Sequence, residues 1–192
     1  LFAGMTGLLI LFGLLFFLSE HLETSLRIEG IIKGLWLAVP VSFMCATSYT
    51  TGWAIKKKLD LMPLVVVAGL LVLTVALVSF ILFHETILFF AGISLAGIGT
   101  GLTLPCLNTL VTSSVGPNAR GIVTAFYGGV RFLGVAAGPP LFALLFDRST
   151  CLTFGVAAGL TFLAALITFL FVHGSTIANP LHIEKGNDNQ NK

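Results

Sequence analysis

One charged side chain in this sequence lies where a charge is expensive. Arg131 interrupts an apolar run, residues 122–146, that holds no other charged group. It comes about ten residues into that run, roughly 15 Å along a helix rising 1.5 Å per residue. If the run crosses a bilayer, the guanidinium is near the midplane, where Arg costs about 2.5 kcal/mol or more on insertion scales. It must then face a wet cavity or an acidic partner. Glu20, Glu23, Glu29, Asp60, Glu85, Asp147, Glu184 and Asp188 all fall between or beyond the apolar runs. A carboxylate partner is therefore expected from a segment outside this sequence, a second subunit or a ligand. The alternative is an Arg satisfied by backbone carbonyls and hydroxyls, with no part in transport. Lys33, close to one end of its run, is expected to snorkel to the interface.

Other reactive patterns are incomplete. His84-Glu85-Thr-Ile-Leu88 opens like a zinc-protease motif but ends in Leu where the second His is needed. Gly92-Ile-Ser94-Leu-Ala96 falls one residue short of the serine-hydrolase elbow and lacks a His partner in reach. There is no phosphate-binding Gly-Lys-Ser/Thr loop. Cys45, Cys106 and Cys151 have no metal-ligand spacing and are expected to be packing residues. The expectation is a protein that is not an enzyme and has no cofactor or metal.

The elements that must position Arg131 follow from composition. The 192 residues are 56% hydrophobic and only 9% charged, with a mean hydropathy of +1.03; a typical soluble domain is about 25% charged. So few charges cannot cover a water-exposed surface, and the main solvent is expected to be lipid. The net charge of +2 is small and scattered, which argues against nucleic acid as a partner. With 17 Phe against 2 Tyr and 2 Trp, most rings are expected to face acyl chains.

Six runs approach the roughly 20 residues a spanning helix needs: 1–18, 31–55, 61–83, 87–111, 122–146 and 152–172. They are continuously apolar, unlike alternating barrel strands, and lipid tolerates only structures that pair their backbone internally. The fold class is thus all-α, a polytopic six-helix bundle over residues 1–173, followed by a polar tail, 174–192, expected to be disordered. The short connections make successive helices antiparallel. Lys56, Lys57, Lys58, Arg120, Lys185 and Lys192 share one side, against Arg27 and Arg148 on the other. The positive-inside rule then places the tail and the Lys56–Lys58 turn in the cytoplasm. The chain begins at Leu1, already inside an apolar stretch, with no initiator Met and no basic leading region, and is expected to start part-way through a longer protein.

Small residues cluster within the runs, where helices in lipid associate by close packing. The sets are Gly97, Gly99 and Gly101; Gly128 and Gly129; Gly134-Val-Ala-Ala-Gly138; and the same pentapeptide again as Gly155-Val-Ala-Ala-Gly159. Each is expected to lie on a packing face. Pro40, Pro105 and the pair Pro139-Pro140 fall inside runs, where each removes a backbone donor and bends the helix.

Three segments carry a family resemblance. Ser48-Tyr-Thr-Thr-Gly52-Trp-Ala-Ile-Lys56-Lys57-Lys58 resembles the cytoplasmic loop motif between the eighth and ninth helices of major facilitator superfamily transporters, without its acidic residue and second Gly. Leu104-Pro105-Cys-Leu-Asn108 followed by Gly116-Pro-Asn-Ala-Arg120-Gly121 resembles the tenth helix and its turn. Tyr127-Gly-Gly-Val-Arg131-Phe-Leu-Gly134-Val-Ala-Ala-Gly138-Pro139-Pro140 resembles the eleventh helix of bacterial drug/proton antiporters of the multidrug efflux type. The resemblance implies the C-terminal half of a twelve-helix fold, with a missing N-terminal six-helix half as partner. It implies proton-coupled efflux of small lipophilic compounds across the cell membrane by alternating access. Arg131, Tyr127 and Asn108 would then line the cavity or couple transport, and Gly134, Gly138, Pro139, Pro105 and Pro40 would shape moving helices. Gly52, Lys56, Lys57, Lys58 and Arg120 would belong to cytoplasmic turns. A self-contained six-helix scaffold or oligomer, and an uptake symporter of the same superfamily, remain as alternatives.

Overall fold

The computed structural model describes residues 1–55, 61–82, 86–116 and 118–178. It contains six helices: α1 (Phe2–Thr24), α2 (Gly30–Ile55), α3 (Met62–Leu82), α4 (Thr86–Ser113), α5 (Arg120–Phe146) and α6 (Thr150–Ala178). No strand occurs among the described residues. All six helices are long and apolar enough to cross a membrane. The Lys56–Lys58 turn and residues 179–192 of the tail lie outside the described residues.

Two helix ends differ from expectation. α1 continues six residues past Leu18, so Glu20, His21 and Glu23 belong to its last turns, not to a loop. Polar side chains do not stop a helix; the ladder ends only where the backbone turns. Ser25 N–H donates to His21 O at 3.0 Å, and the chain then reverses through Arg27 (φ 51) and Gly30 (φ 66). Arg27 thus occupies a left-handed conformation that residues other than Gly seldom adopt. α6 likewise takes in residues 174–178 of the expected tail.

The α1–α2 reversal places Lys33 Nζ 2.6 Å from Glu23 Oε2. Lys33 therefore pairs with α1 instead of merely reaching toward the interface. The Glu23 side chain is half-exposed, and such pairs contribute about 0–1 kcal/mol. Glu23→Gln should lower the thermal midpoint by no more than about 2 °C in a detergent melt. A drop several times larger would show that the pair holds the reversal together.

α1 is the most deeply buried helix, whereas α2 and α5 are the least buried. α5 packs chiefly on α1, α2 on α4, and α3 on both α4 and α6. The α1–α5 seam is a stripe. Tyr127, Gly134, Gly138 and Phe142 are the buried residues of α5, and their spacing of seven, four and four keeps them on one helix face. A Cβ on Gly134 would lie 2.5 Å from Met5 O, and one on Gly138 would lie 2.6 Å from Leu9 O. Phe142 fills the space over Gly13. Gly97 and Gly101 repeat the device on α4, against Pro40 O at 2.5 Å and Met44 O at 2.6 Å. Backbone meets backbone at both seams, the association mode available where lipid competes for every apolar side chain.

The expected packing role fails for two sets. Gly155 and Gly159 are exposed, and added methyls there would meet nothing within 4 Å. α6 instead buries Ala157 and Ala158 (2% and 7% exposed) from the same pentapeptide. Gly128 and Gly129 also have open space where a Cβ would project. A glycine pair four apart marks a face, but its neighbours decide whether that face is used.

Pro105 shows how a break in the ladder is repaired. It cannot donate to the Gly101 carbonyl, four residues earlier. Ser48 Oγ on α2 donates to Gly101 O at 3.1 Å instead, meeting the demand that backbone groups in lipid be paired. Phenylalanine is used in two ways. Many rings are exposed, but Phe17, Phe80 and Phe154 are buried in one aromatic cluster with Phe89 and Phe146. Ring centroids there lie 4.8–5.4 Å apart.

Candidate functional site

Near the middle of α5, polar side chains recur at a helical spacing. Thr124, Tyr127, Gly128 and Arg131 fall at i, i+3, i+4 and i+7, which places them on one face. Across from them α4 contributes Asn108, Thr109 and Thr112. Together these seven residues line a cavity of about 390 Å³, within the usual range for small-molecule sites of roughly 300–1,000 Å³.

Arg131 organises the cavity. Its Nη1 donates to Asn108 Oδ1 at 2.7 Å, bridging α5 to α4. Its guanidinium carbon lies 5.3 Å from the centroid of the Tyr127 ring, one turn earlier, within cation–π range. The ring presents its negative face to the cation, and the amide oxygen fixes the guanidinium's direction. The resulting plane is set by two neutral groups, neither of which cancels the charge.

Two polar atoms of this cluster are buried without a hydrogen-bond partner, Arg131 Nε and the Tyr127 hydroxyl. Leaving such a group unpaired costs about 1–3 kcal/mol, and more where charge is involved. The only ion pair among the described residues is Lys33–Glu23, so Arg131 has no carboxylate partner among them. The threonines carry no charge to offset it. Thr109 donates to Pro105 O at 3.0 Å and Thr112 to Asn108 O at 2.9 Å, both on their own helix.

Tyr127 is only 2% exposed because α1 makes room for it. A Cβ on Gly4 would lie 2.5 Å from the Tyr127 hydroxyl. Gly4 is thus part of the site's support, and nothing in its local sequence announces it. Thr124 and Thr112 were readable by helical spacing from Arg131 and Asn108, yet isolated threonines in apolar runs are common and gave no reason to apply that spacing.

The structure brings Arg131, Tyr127 and Asn108 into one cluster. Gly134, Gly138 and Pro139 sit further along α5, the first two buried against α1 and Pro139 half-buried. Pro40 is buried, and its carbonyl lies against Gly97. Pro105 and Gly52 meet elsewhere, in a smaller cavity of about 160 Å³ that Thr51, Ile55, Met62, Cys106 and Thr109 complete. Arg120 opens α5, exposed, with Nε donating to Val115 O at 3.3 Å. Lys56, Lys57 and Lys58 are outside the described residues.

The family model described as Major Facilitator Superfamily matches residues 1–189. A curated relative, the Bacillibactin exporter of Bacillus subtilis (strain 168), is 36% identical over 155 residues, covering 81% of this chain. That alignment takes in 39% of the exporter, so the chain spans about two-fifths of the relative's length.

Proposed function

The chain belongs to the Major Facilitator Superfamily, and we propose that it acts as the C-terminal half of a proton-coupled exporter of small lipophilic or drug-like compounds. The observation that carries this reading is the Arg131–Asn108–Tyr127 cluster, a half-buried charge lining a cavity, with its Nε and the Tyr127 hydroxyl buried and unpartnered. A bundle built only to be rigid gains nothing from such a group, because insertion scales charge about 2.5–3.5 kcal/mol for it. The resemblance to a protein named as an exporter supports the outward direction. In this reading the protein lies in the cell membrane, with the Lys56–Lys58 turn and the tail in the cytoplasm. An N-terminal six-helix half would face α2 and α5, the helices that bury least of their own surface.

The experiment is transport by the full-length protein in everted membrane vesicles, with a fluorescent lipophilic dye outside. Dye should accumulate in energised vesicles, and an uncoupler that collapses the proton gradient should return it to the level of vesicles lacking the protein. Accumulation that ignores the uncoupler would exclude proton coupling. Accumulation only in right-side-out vesicles would reassign the protein as an uptake symporter. No accumulation in either orientation, with one defined oligomer on cross-linking, would make it a scaffold.

A further inference from the structure

The cavity between α4 and α5 holds a positive charge and lacks a counter-charge. The guanidinium has five N–H donors. Nη1 donates to Asn108 Oδ1, and Nε has no acceptor. Asn108, with its oxygen engaged by Arg131, keeps its Nδ2 donors. The Tyr127 hydroxyl is unpartnered on a side chain 98% buried, the complement of its 2% exposure. The other lining residues, Thr109, Thr112, Thr124 and Gly128, are neutral. Thr109 and Thr112 direct their protons at carbonyls of α4. Their oxygens keep lone pairs that can accept but carry no charge, so what the cavity lacks is a negative acceptor.

The acids among the described residues do not supply it. Glu20 and Glu23 lie in the last turns of α1, and Asp147 is exposed just beyond the end of α5. A cationic compound would be repelled by Arg131, and a neutral lipophile would desolvate the guanidinium without pairing it. A carboxylate or phenolate oxygen would accept from the guanidinium and from the Asn108 amide together, as charge-assisted hydrogen bonds.

We propose that this cavity binds the acid group of an anionic lipophilic substrate, with Arg131 as its counter-ion, Asn108 orienting the guanidinium and Tyr127 supporting it from the α1 side. The proposal rests on the export reading and names the substrate class that the exporter takes. The other source of a negative acceptor, a carboxylate elsewhere in the full-length protein, would already neutralise Arg131 and leave no preference for acids.

The test compares lipophilic acids with their primary amides on the full-length protein in nanodiscs. The probes are 1-naphthoate, indole-3-acetate and 4-phenylbutyrate. At least one acid should bind about tenfold or more tightly than its amide. Arg131→Gln should abolish that preference, and Arg131→Lys should retain part of it. The wild-type acid-to-amide ratio needs no variant, so a poorly folded Arg131→Gln would not blunt the test. Equal binding of every acid and its amide, no binding of any acid, or a preference that survives in folded Arg131→Gln would each overturn the proposal. Transport of the same probes in everted vesicles separates the two readings. Amides moved while acids are ignored leaves the exporter standing and removes the anion site. Acids bound but never moved leaves the anion site standing and removes the exporter.

Discussion

Valine at Gly134 or Gly138 is expected to prevent assembly of the bundle, whereas valine at Gly155 or Gly159 should leave it intact. The two pairs occupy the same pentapeptide, so local sequence and helix propensity are matched. Their surroundings differ. Even the first side-chain carbon at Gly134 would sit 2.5 Å from Met5 O and 3.2 Å from Met5 C; at Gly138 it would sit 2.6 Å from Leu9 O and 3.1 Å from Gly13 N. These neighbours are backbone atoms of a helix, which cannot rotate away as a side chain can. α1 and α5 would have to separate along the whole stripe from Tyr127 to Phe142, uncovering Gly13 and the space at Gly4. Overpacking a tight core costs about 1–3 kcal/mol and occasionally more, and two unyielding partners place this case at or above the top of that range. In lipid the loss is not recovered, since the separated faces gain no hydrophobic driving force to close again. Gly155 and Gly159 have open space at the same position. The measurement is the yield of monodisperse full-length protein after detergent extraction, with its thermal midpoint. Equal losses at both pairs would mean that α6 packs through its glycines in the membrane, contrary to the structure.

That contrast also marks where sequence stops being sufficient. Six apolar runs of membrane length could become six helices and little else, because lipid forbids unpaired backbone. Their number and order are therefore legible from composition alone. The ends are less so: α1 runs through Glu20 and Glu23 because a helix stops at a turn in the backbone, here Arg27 and Gly30, not at a change of polarity. Which glycines pack is not legible at all. It depends on the rotation of each helix about its axis, and runs apolar on all sides leave that rotation undetermined. The charge at Arg131 was legible because burying it in a membrane is costly enough to require an explanation. Its partners came from the resemblance of the Asn108 and Tyr127 segments, and the structure joins them by one hydrogen bond and one ring contact. Gly4 escaped notice because its role is to be absent, leaving room for a hydroxyl contributed from over a hundred residues away.

Arg131→Ala is expected to abolish export while the protein still accumulates in the membrane at nearly the wild-type level. Removing the guanidinium forfeits its bond to Asn108, worth about 1.5–3 kcal/mol for a charged hydrogen bond. It also removes the cost of placing Arg at membrane depth, about 2.5–3.5 kcal/mol. The two nearly cancel, so stability should change little, and the buried Nε loses its unmet demand as well. Function has no such compensation, because the cavity then presents neither charge nor an oriented donor. Asn108→Leu makes the opposite change. It keeps the charge and removes the oxygen that Arg131 Nη1 reaches at 2.7 Å, so it should lower the thermal midpoint more than Arg131→Ala does. In the double variant, with no guanidinium left to strand, the midpoint should recover while export stays at background. The readouts are membrane abundance, thermal midpoint, and efflux divided by abundance for all four proteins. Wild-type efflux from Arg131→Ala would remove Arg131 from the transport site. A fall in efflux that only tracks a fall in abundance would mean that the residue holds α5 to α4 and does nothing more.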